Sequence, residues 1–303
     1  MKHQSPLLDT LLTALAPAIW GSTYIVTTEL LPADRPFIAA CLRCLPAGLL
    51  LVLWCRQRPE MANWWRLMVL SALNIGVFQA LLFVAAYRLP GGLAAVLGAV
   101  QPLLVMLLLW LVDQQKPVVM AAWSGLLGVA GMALLLLSPD TVWEPVGIAA
   151  AFAGACCMAT GTWLAMRWRP MLKAMPLLAF TGWQLLLGGL MLLPLAIWID
   201  PALPTLTATE WMGYSYLSIF GALIAYALWF RGINRLSPVA VSSLGLLSPL
   251  TAVALGWLLL EQHITGLSLI GLVVVLISVT TVQRLMMKPV ARPMVTELKK
   301  ETV

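Results

Sequence analysis

Charge is scarce in this chain. Of its 303 residues only 10% are Asp, Glu, Lys or Arg, against about 25% in an ordinary soluble domain. That shortage, with 61% hydrophobic residues and a mean hydropathy of +0.94, excludes a water-soluble fold. Histidine is nearly missing, with His3 and His263 the only two. There is no HExxH, no pair of mid-span aspartates and no workable serine–histidine pair. Intramembrane hydrolysis has nothing to run on, so no enzyme activity, cofactor or metal is expected. The five cysteines include Cys41 and Cys44 at CxxC spacing, but both fall in one apolar run with no second pair, which reads as small buried thiols. Long hydrophilic loops are missing too, which leaves a sensor or receptor a distant alternative. A channel would want a ring of charges or a filter sequence, and neither is present.

What remains is apolar sequence in abundance. A bilayer core about 30 Å thick takes roughly 20 residues of helix to cross. Ten runs qualify: Leu7–Thr28, Pro36–Cys55, Leu67–Tyr87, Leu93–Val112, Val118–Leu137, Val146–Met166, Pro176–Ile199, Trp211–Phe230, Ala240–Leu260 and Leu267–Met286. The first could pass for a signal peptide, since Lys2 leads it and Ala14–Ala16 looks like a cleavage site. Asp9 interrupts that would-be apolar core and the pattern continues to Thr28, so it reads as a helix. The fold class expected is an all-α integral membrane protein whose partners are the lipid bilayer and a small-molecule substrate. Placing the N-terminus in the cytoplasm leaves 15 lysines and arginines on the inner side and only Arg35 and Arg88 outside. This positive-inside bias predicts a multi-pass protein of the cell inner (plasma) membrane with both termini cytoplasmic. The net charge of +6 is then a topology signal. With no basic stripe on a water-facing domain, no nucleic-acid partner is expected.

The chain also resembles itself. "RLPGGLAAVLGAVQPLLV" from Arg88 aligns with "RLSPVAVSSLGLLSPLTA" from Arg235 at an offset of 147, pairing Gly98 with Gly245 and Pro102 with Pro249. At 140–141, "WGSTY" from Trp20 faces "TGTWL" from Thr160, Arg43 faces Gln184, and Gly48 faces Gly189. Five spans is an odd number, so the second copy enters the membrane inverted. The domains expected are a first five-helix repeat over 1–143, a second over 144–288, and a disordered cytoplasmic tail over 289–303. Inverted repeats are a ground plan of secondary transporters, with the substrate site near the midplane between the halves.

"AIWGSTY", "LRCLPAGLLL", "YRLPGGLAAVLGAVQPLL" and "LLLEQHITGLSLIGLVVVL" together resemble the EamA family of the drug/metabolite transporter (DMT) superfamily, across nearly the whole chain. The resemblance implies a ten-helix exporter of small metabolites, amino acids or drug-like compounds. One departure stands out: where the first repeat of the family closes with a glutamate after the fourth helix, "VDQQK" places Gln114 opposite Glu261.

Several residues are candidates for the translocation path. Pro102 and Pro249 interrupt the fourth and ninth spans, and a proline there kinks the helix and frees the carbonyl four residues back, which belongs to Gly98 and Gly245. Paired interruptions at matching positions point to hinges beside a site. Trp20, Thr23, Tyr24 and Thr27 share one helix face, and Thr160 with Trp163 makes a shorter version. Asn74, Gln79, Gln101, Tyr226, Ser242 and Ser248 add uncharged polar groups, although Asn74 and Gln79, five apart, should not point squarely into one cavity. Interhelical hydrogen bonding is the plainer use of such groups. An aromatic, weakly polar lining suits small amphipathic molecules. Trp64, Trp65, Trp143, Trp198 and Trp211 fall at span ends and read as interface anchors. The acids Asp9, Glu29, Asp113, Glu210 and Glu261 also fall at span ends, so no mid-span carboxylate offers a proton relay.

Arg43 is the one charge within a span, about 10 Å in from Pro36 at 1.5 Å per residue. Two readings stand. It is a structural arginine, snorkelling outward or bonded to backbone carbonyls or an acid such as Asp34, or it lies in the path and meets a substrate carboxylate. An antiporter or importer of phosphorylated or other anionic metabolites would want several central basic residues, and this chain offers only Arg43.

Overall fold

In a bilayer every backbone N–H and C=O has to be satisfied within the segment that crosses it, and helices do this alone. The computed structural model describes residues 6–88, 97–137, 144–169, 175–259 and 266–286, and among them there is no strand. The Tyr24 side chain, Trp143, Glu261, His263 and the 289–303 tail lie outside the described residues. Ten helical rods result. They are α1 (Pro6–Leu30), α2 (Pro36–Cys55), α3 (Trp64–Ser71, Ala72–Gly76 and Val77–Arg88), α4 (Gln101–Leu111) and α5 (Val119–Leu136). The second five are α6 (Pro145–Arg167), α7 (Leu177–Trp198), α8 (Ala208–Tyr216, Leu217–Ile224 and Ala225–Ile233), α9 (Pro238–Leu244 and Leu247–Leu259) and α10 (Leu267–Met286). Among the described residues nine stretches are long and apolar enough to span, and the tenth rod, α4, is a shorter apolar helix of 11 residues.

Local chemistry sets the ends. Proline, whose missing N–H costs nothing in a first turn, opens α2, α6 and α9. Glu144 accepts from the Gly147 N–H at 2.5 Å and caps α6, and Thr207 with Glu210 forms a reciprocal capping box on α8. α2 has no cap of its own. Asp200, beyond the far end of α7, supplies one by accepting the Ile38 N–H at 2.6 Å.

The centre is the crossing of α2 with α7. A Cβ on Gly48 would strike the Leu186 backbone, and one on Gly189 would lie 2.8 Å from the Leu45 side chain, so both glycines are needed for this close approach.

Two features depart from expectation. The fourth and ninth spans are broken rather than kinked. Turns at residues 99–100 and 245–246 separate helical pieces, and Pro102 and Pro249 sit in the first turn of the piece that follows. A proline tolerated at a helix start ends the preceding helix instead of bending it. The Gly245 carbonyl is also not free, because it accepts the Ser248 N–H at 3.1 Å. The second departure is that α3 and α8 each contain a π-helical segment, at Ala72–Gly76 and Leu217–Ile224. Ala72–Gly76 shifted by 147 falls on residues 219–223, inside the second.

Candidate functional site

The polar residues gather where α1, α2, α3, α7 and α8 meet, and the π segments put them there. A π turn closes i to i+5 and widens the helix by a residue. Asn74 lies in such a turn, which brings it nearer the face of Gln79. Five residues apart, the two should have diverged, yet both are 1% exposed and both reach across to the second half of the chain. Asn74 donates Nδ2 to Gln184 Oε1 at 3.0 Å, and Gln79 donates Nε2 to the Tyr226 hydroxyl at 3.3 Å.

On α8 the Gly221 carbonyl is the focus. It accepts Trp20 Nε1 at 2.9 Å and Arg43 Nη2 at 2.9 Å, filling both lone pairs. Arg43 therefore neither snorkels nor bonds Asp34. It turns inward onto backbone, the carbonyl option of its structural reading. The Trp20 ring packs on Tyr226 and Trp229, with centroids 5.0 and 5.2 Å apart, so an aromatic wall flanks the arginine.

These contacts correspond across the sequence offsets. Arg43 pairs with Gln184 at 141, and Asn74 with Gly221 at 147. The Arg43–Gly221 bond is thus the counterpart of the Gln184–Asn74 bond. Trp20 on Gly221 likewise matches Gly161 on Asn74, where a Cβ added to Gly161 would run into the Asn74 amide. Gln79 and Tyr226 are each other's counterparts, and they bond to each other.

The cluster keeps unused hydrogen-bonding capacity. Thr23 Oγ1, Arg43 Nε, Asn74 Oδ1, Gln79 Oε1 and Gln184 Nε2 are buried with no partner among the described residues, as is Gln101 Nε2 near the break in α9. Such atoms are costly and uncommon in a packed protein.

The other expected residues fall into two groups. Gln101 reaches the break in α9, its Oε1 3.7 Å from where a Cβ on Gly245 would stand, with Trp229 3.9 Å from that point. Gly98 meets nothing within 4 Å among the described residues, so the two glycines are not alike. Ser242 bonds back to the Val239 carbonyl at 3.1 Å, and the Ser248 carbonyl packs directly on Gly21 of α1. Trp163 is not brought to the cluster: its Nε1 donates to Asp113 Oδ2 at 2.6 Å, beside the Arg167–Asp113 ion pair. Sequence reasoning missed Gly161 and Gly221. Their alignment with Trp20 and Asn74 at the two offsets was the signal available. A separate cleft of about 230 Å³ opens between the ends of α6 and α8 and the start of α7, with Arg169, Phe180, Phe230 and Asn234 among its walls.

Residues 8–137 and 145–283 match the EamA-like transporter family. Protein PecM of Dickeya dadantii is 45% identical over 269 residues, covering 88% of this chain and 90% of that one. An uncharacterised transporter of Synechocystis is 31% identical, covering 88% of each. A solved crystal structure superposes with a TM-score of 0.78 at 19% identity, over 92% of this chain and 97% of the other, a likeness of fold.

Proposed function

Since the chain belongs to the EamA-like transporter family and is a multi-pass membrane transporter rather than an enzyme, we propose that it exports small amphipathic metabolites, amino acids or drug-like compounds across the inner membrane by alternating access. In this reading 1–143 and 144–288 are inverted five-helix repeats, both termini are cytoplasmic, and the substrate binds at the Arg43–Gly221–Asn74–Gln184 cluster. The observation that carries it is the Gln79–Tyr226 hydrogen bond. Two residues at equivalent positions of two copies touch each other only near the axis relating the copies, which is where such transporters bind substrate. The unpartnered buried amides and hydroxyl around that bond suit the polar head of a small molecule, and Trp20, Tyr226 and Trp229 suit its apolar body.

Import or exchange of phosphorylated metabolites is the weaker reading. A phosphate asks for several cationic donors, and Arg43 already spends Nη2 on a carbonyl.

Comparative metabolomics of spent medium, from cells expressing and lacking the protein, tests the proposal. Accumulation of one or a few amphipathic compounds outside expressing cells is expected. Depletion of those compounds from the medium would reverse the direction assigned.

A further inference from the structure

Two acids at matching helix starts, Asp9 and Glu144, hold arginines at opposite ends of the bundle, although at the 141 offset Asp9 faces Ala150 rather than Glu144, and Asp113–Arg167 is a further ion pair at the Asp9 end. Asp9, in the first turn of α1, binds Arg231 Nη2 at 2.5 Å and Arg235 Nη1 at 3.4 Å, at the end of α8. Glu144, the cap of α6, binds Arg88 Nη1 at 3.5 Å, at the end of α3. Arg88 and Arg235 are 147 residues apart, the repeat offset. In each case an acid opening the first helix of one half holds an arginine closing the third helix of the other half. Counting crossings along ten helices places the Asp9 pair on the face where the chain begins and the Glu144 pair on the other.

Beneath each pair lies a tight seam between the same two helices. Below Asp9, Thr13 is fully buried against Gly232, where a Cβ would collide with the threonine. Below Glu144, Ala85 and Ala150 share a buried cluster, and Ala85 is Gly232 less 147.

The two clasps are not equally tight. The Asp9 pairs have side-chain exposures of 11% for the acid and 17% for Arg231. The Arg88–Glu144 pair is longer, with exposures of 51% and 29%. Exposed pairs contribute little, whereas a shielded acid held by two guanidinium groups is costly to separate. As it stands, the protein is latched at the N-terminal face and lightly held at the opposite one.

We propose that Asp9–Arg231/Arg235 and Glu144–Arg88 are counterpart gates that open in turn, each exposing its seam to one side of the membrane while the other stays shut. The proposal rests on the inverted-repeat reading above, because only a repeat relation makes opening at one face the mirror of opening at the other. The gating residues are positioning groups.

Cysteine reporters test it without any substrate. Thr13→Cys and Ala85→Cys are placed singly in the full chain after its five native cysteines are replaced. Labelling by a membrane-impermeant maleimide is timed in intact spheroplasts and in inside-out vesicles, so that each reporter is approached from its own face. Asp9→Asn should speed labelling of Thr13→Cys about tenfold, the change in an equilibrium made by about 1.4 kcal/mol, and should slow labelling of Ala85→Cys. Glu144→Gln should do the reverse, and the swap Arg88→Glu/Glu144→Arg should return both rates toward their starting values. Arg231→Gln stands in if Asp9→Asn does not reach the membrane. Acceleration confined to the nearest reporter, with the distant one unmoved, means local fraying and overturns the proposal, as does acceleration at both. A spent-medium experiment that finds no exported compound leaves this labelling result intact, so the two readings fail separately.

Discussion

Glycine does opposite jobs at two residues of the central cluster. At Gly221 an added Cβ would lie 3.5 Å from Arg43 Nε, an ordinary contact, and the carbonyl that matters belongs to the backbone. At Gly161 the same methyl would displace the Asn74 amide from Gln184. Gly221→Ala should therefore export at near the normal rate. Gly161→Ala should lose export by tenfold or more and lower thermal stability in detergent by about 1–3 kcal/mol, the usual cost of overpacking. Transport normalised to membrane protein level, with a melting curve, reads both. Arg43→Gln keeps an N–H donor for the Gly221 carbonyl and imitates its counterpart Gln184, so it should retain substantial transport. Loss for acidic substrates alone would make Arg43 a substrate ligand. At the breaks, Gly245→Leu has to enter a space bounded by the Ser242 carbonyl at 3.0 Å, Gln101 and Trp229, and should abolish export. Gly98→Leu meets open space among the described residues and should do much less.

At the scale of elements, the π segments decide the register. Removing Ala72 turns the wide loop of α3 back toward α-helix, so that Asn74 and Gln79, five residues apart, diverge by about 140°. Both then cannot keep their partners Gln184 and Tyr226. The shortened chain should still insert, because the span stays apolar, but it should not transport. Asp200 carries a different expectation. Burial pushes its carboxyl above the ordinary aspartate range, against the pull of the Ile38 and Phe37 N–H groups and of Arg35. A raised acid contributes stability that is present at low pH and lost as pH rises through its folded value. Melting temperatures of the natural chain should therefore gain on those of Asp200→Asn as pH falls from 7 toward 4, and a constant difference would contradict the burial argument. Elements such as these mark where the sequence stopped being legible. All ten spans could be read from hydropathy, because bilayer thickness imposes a length. Neither π segment could be, since "ALNIG" and "LSIFGALI" carry no periodicity that separates a 4.4-residue turn from a 3.6-residue one. Asp200 and Glu144 carry no signal in the sequence because their partners, Ile38 and Arg88, are supplied by folding and not by neighbouring sequence. The aromatic and amide candidates could be listed from the sequence, but which of them meet depended on those unseen turns, and Trp163 was drawn off by Asp113.

For the whole molecule, a reporter enzyme active only in the periplasm and fused after Val303 should be silent, and clear activity would invert the orientation proposed from the lysines and arginines. A second test cuts the chain. If 1–143 and 144–303 are repeats that meet along α2 and α7, the halves expressed as separate polypeptides should find each other and co-purify, because the Gly48–Leu186 and Gly189–Leu45 contacts need no linker. Failure to co-purify, with both halves inserted, would make the covalent connection part of the fold. The Gln79–Tyr226 bond has a consequence for descent as well. In a five-helix forebear inserted both ways up and paired with its own twin, this position would have faced itself. Two glutamines can exchange amide hydrogen bonds symmetrically, so Gln79 is suited to such a partnership, and if the halves arose by duplication, Tyr226 is where one copy was released from having to match the other.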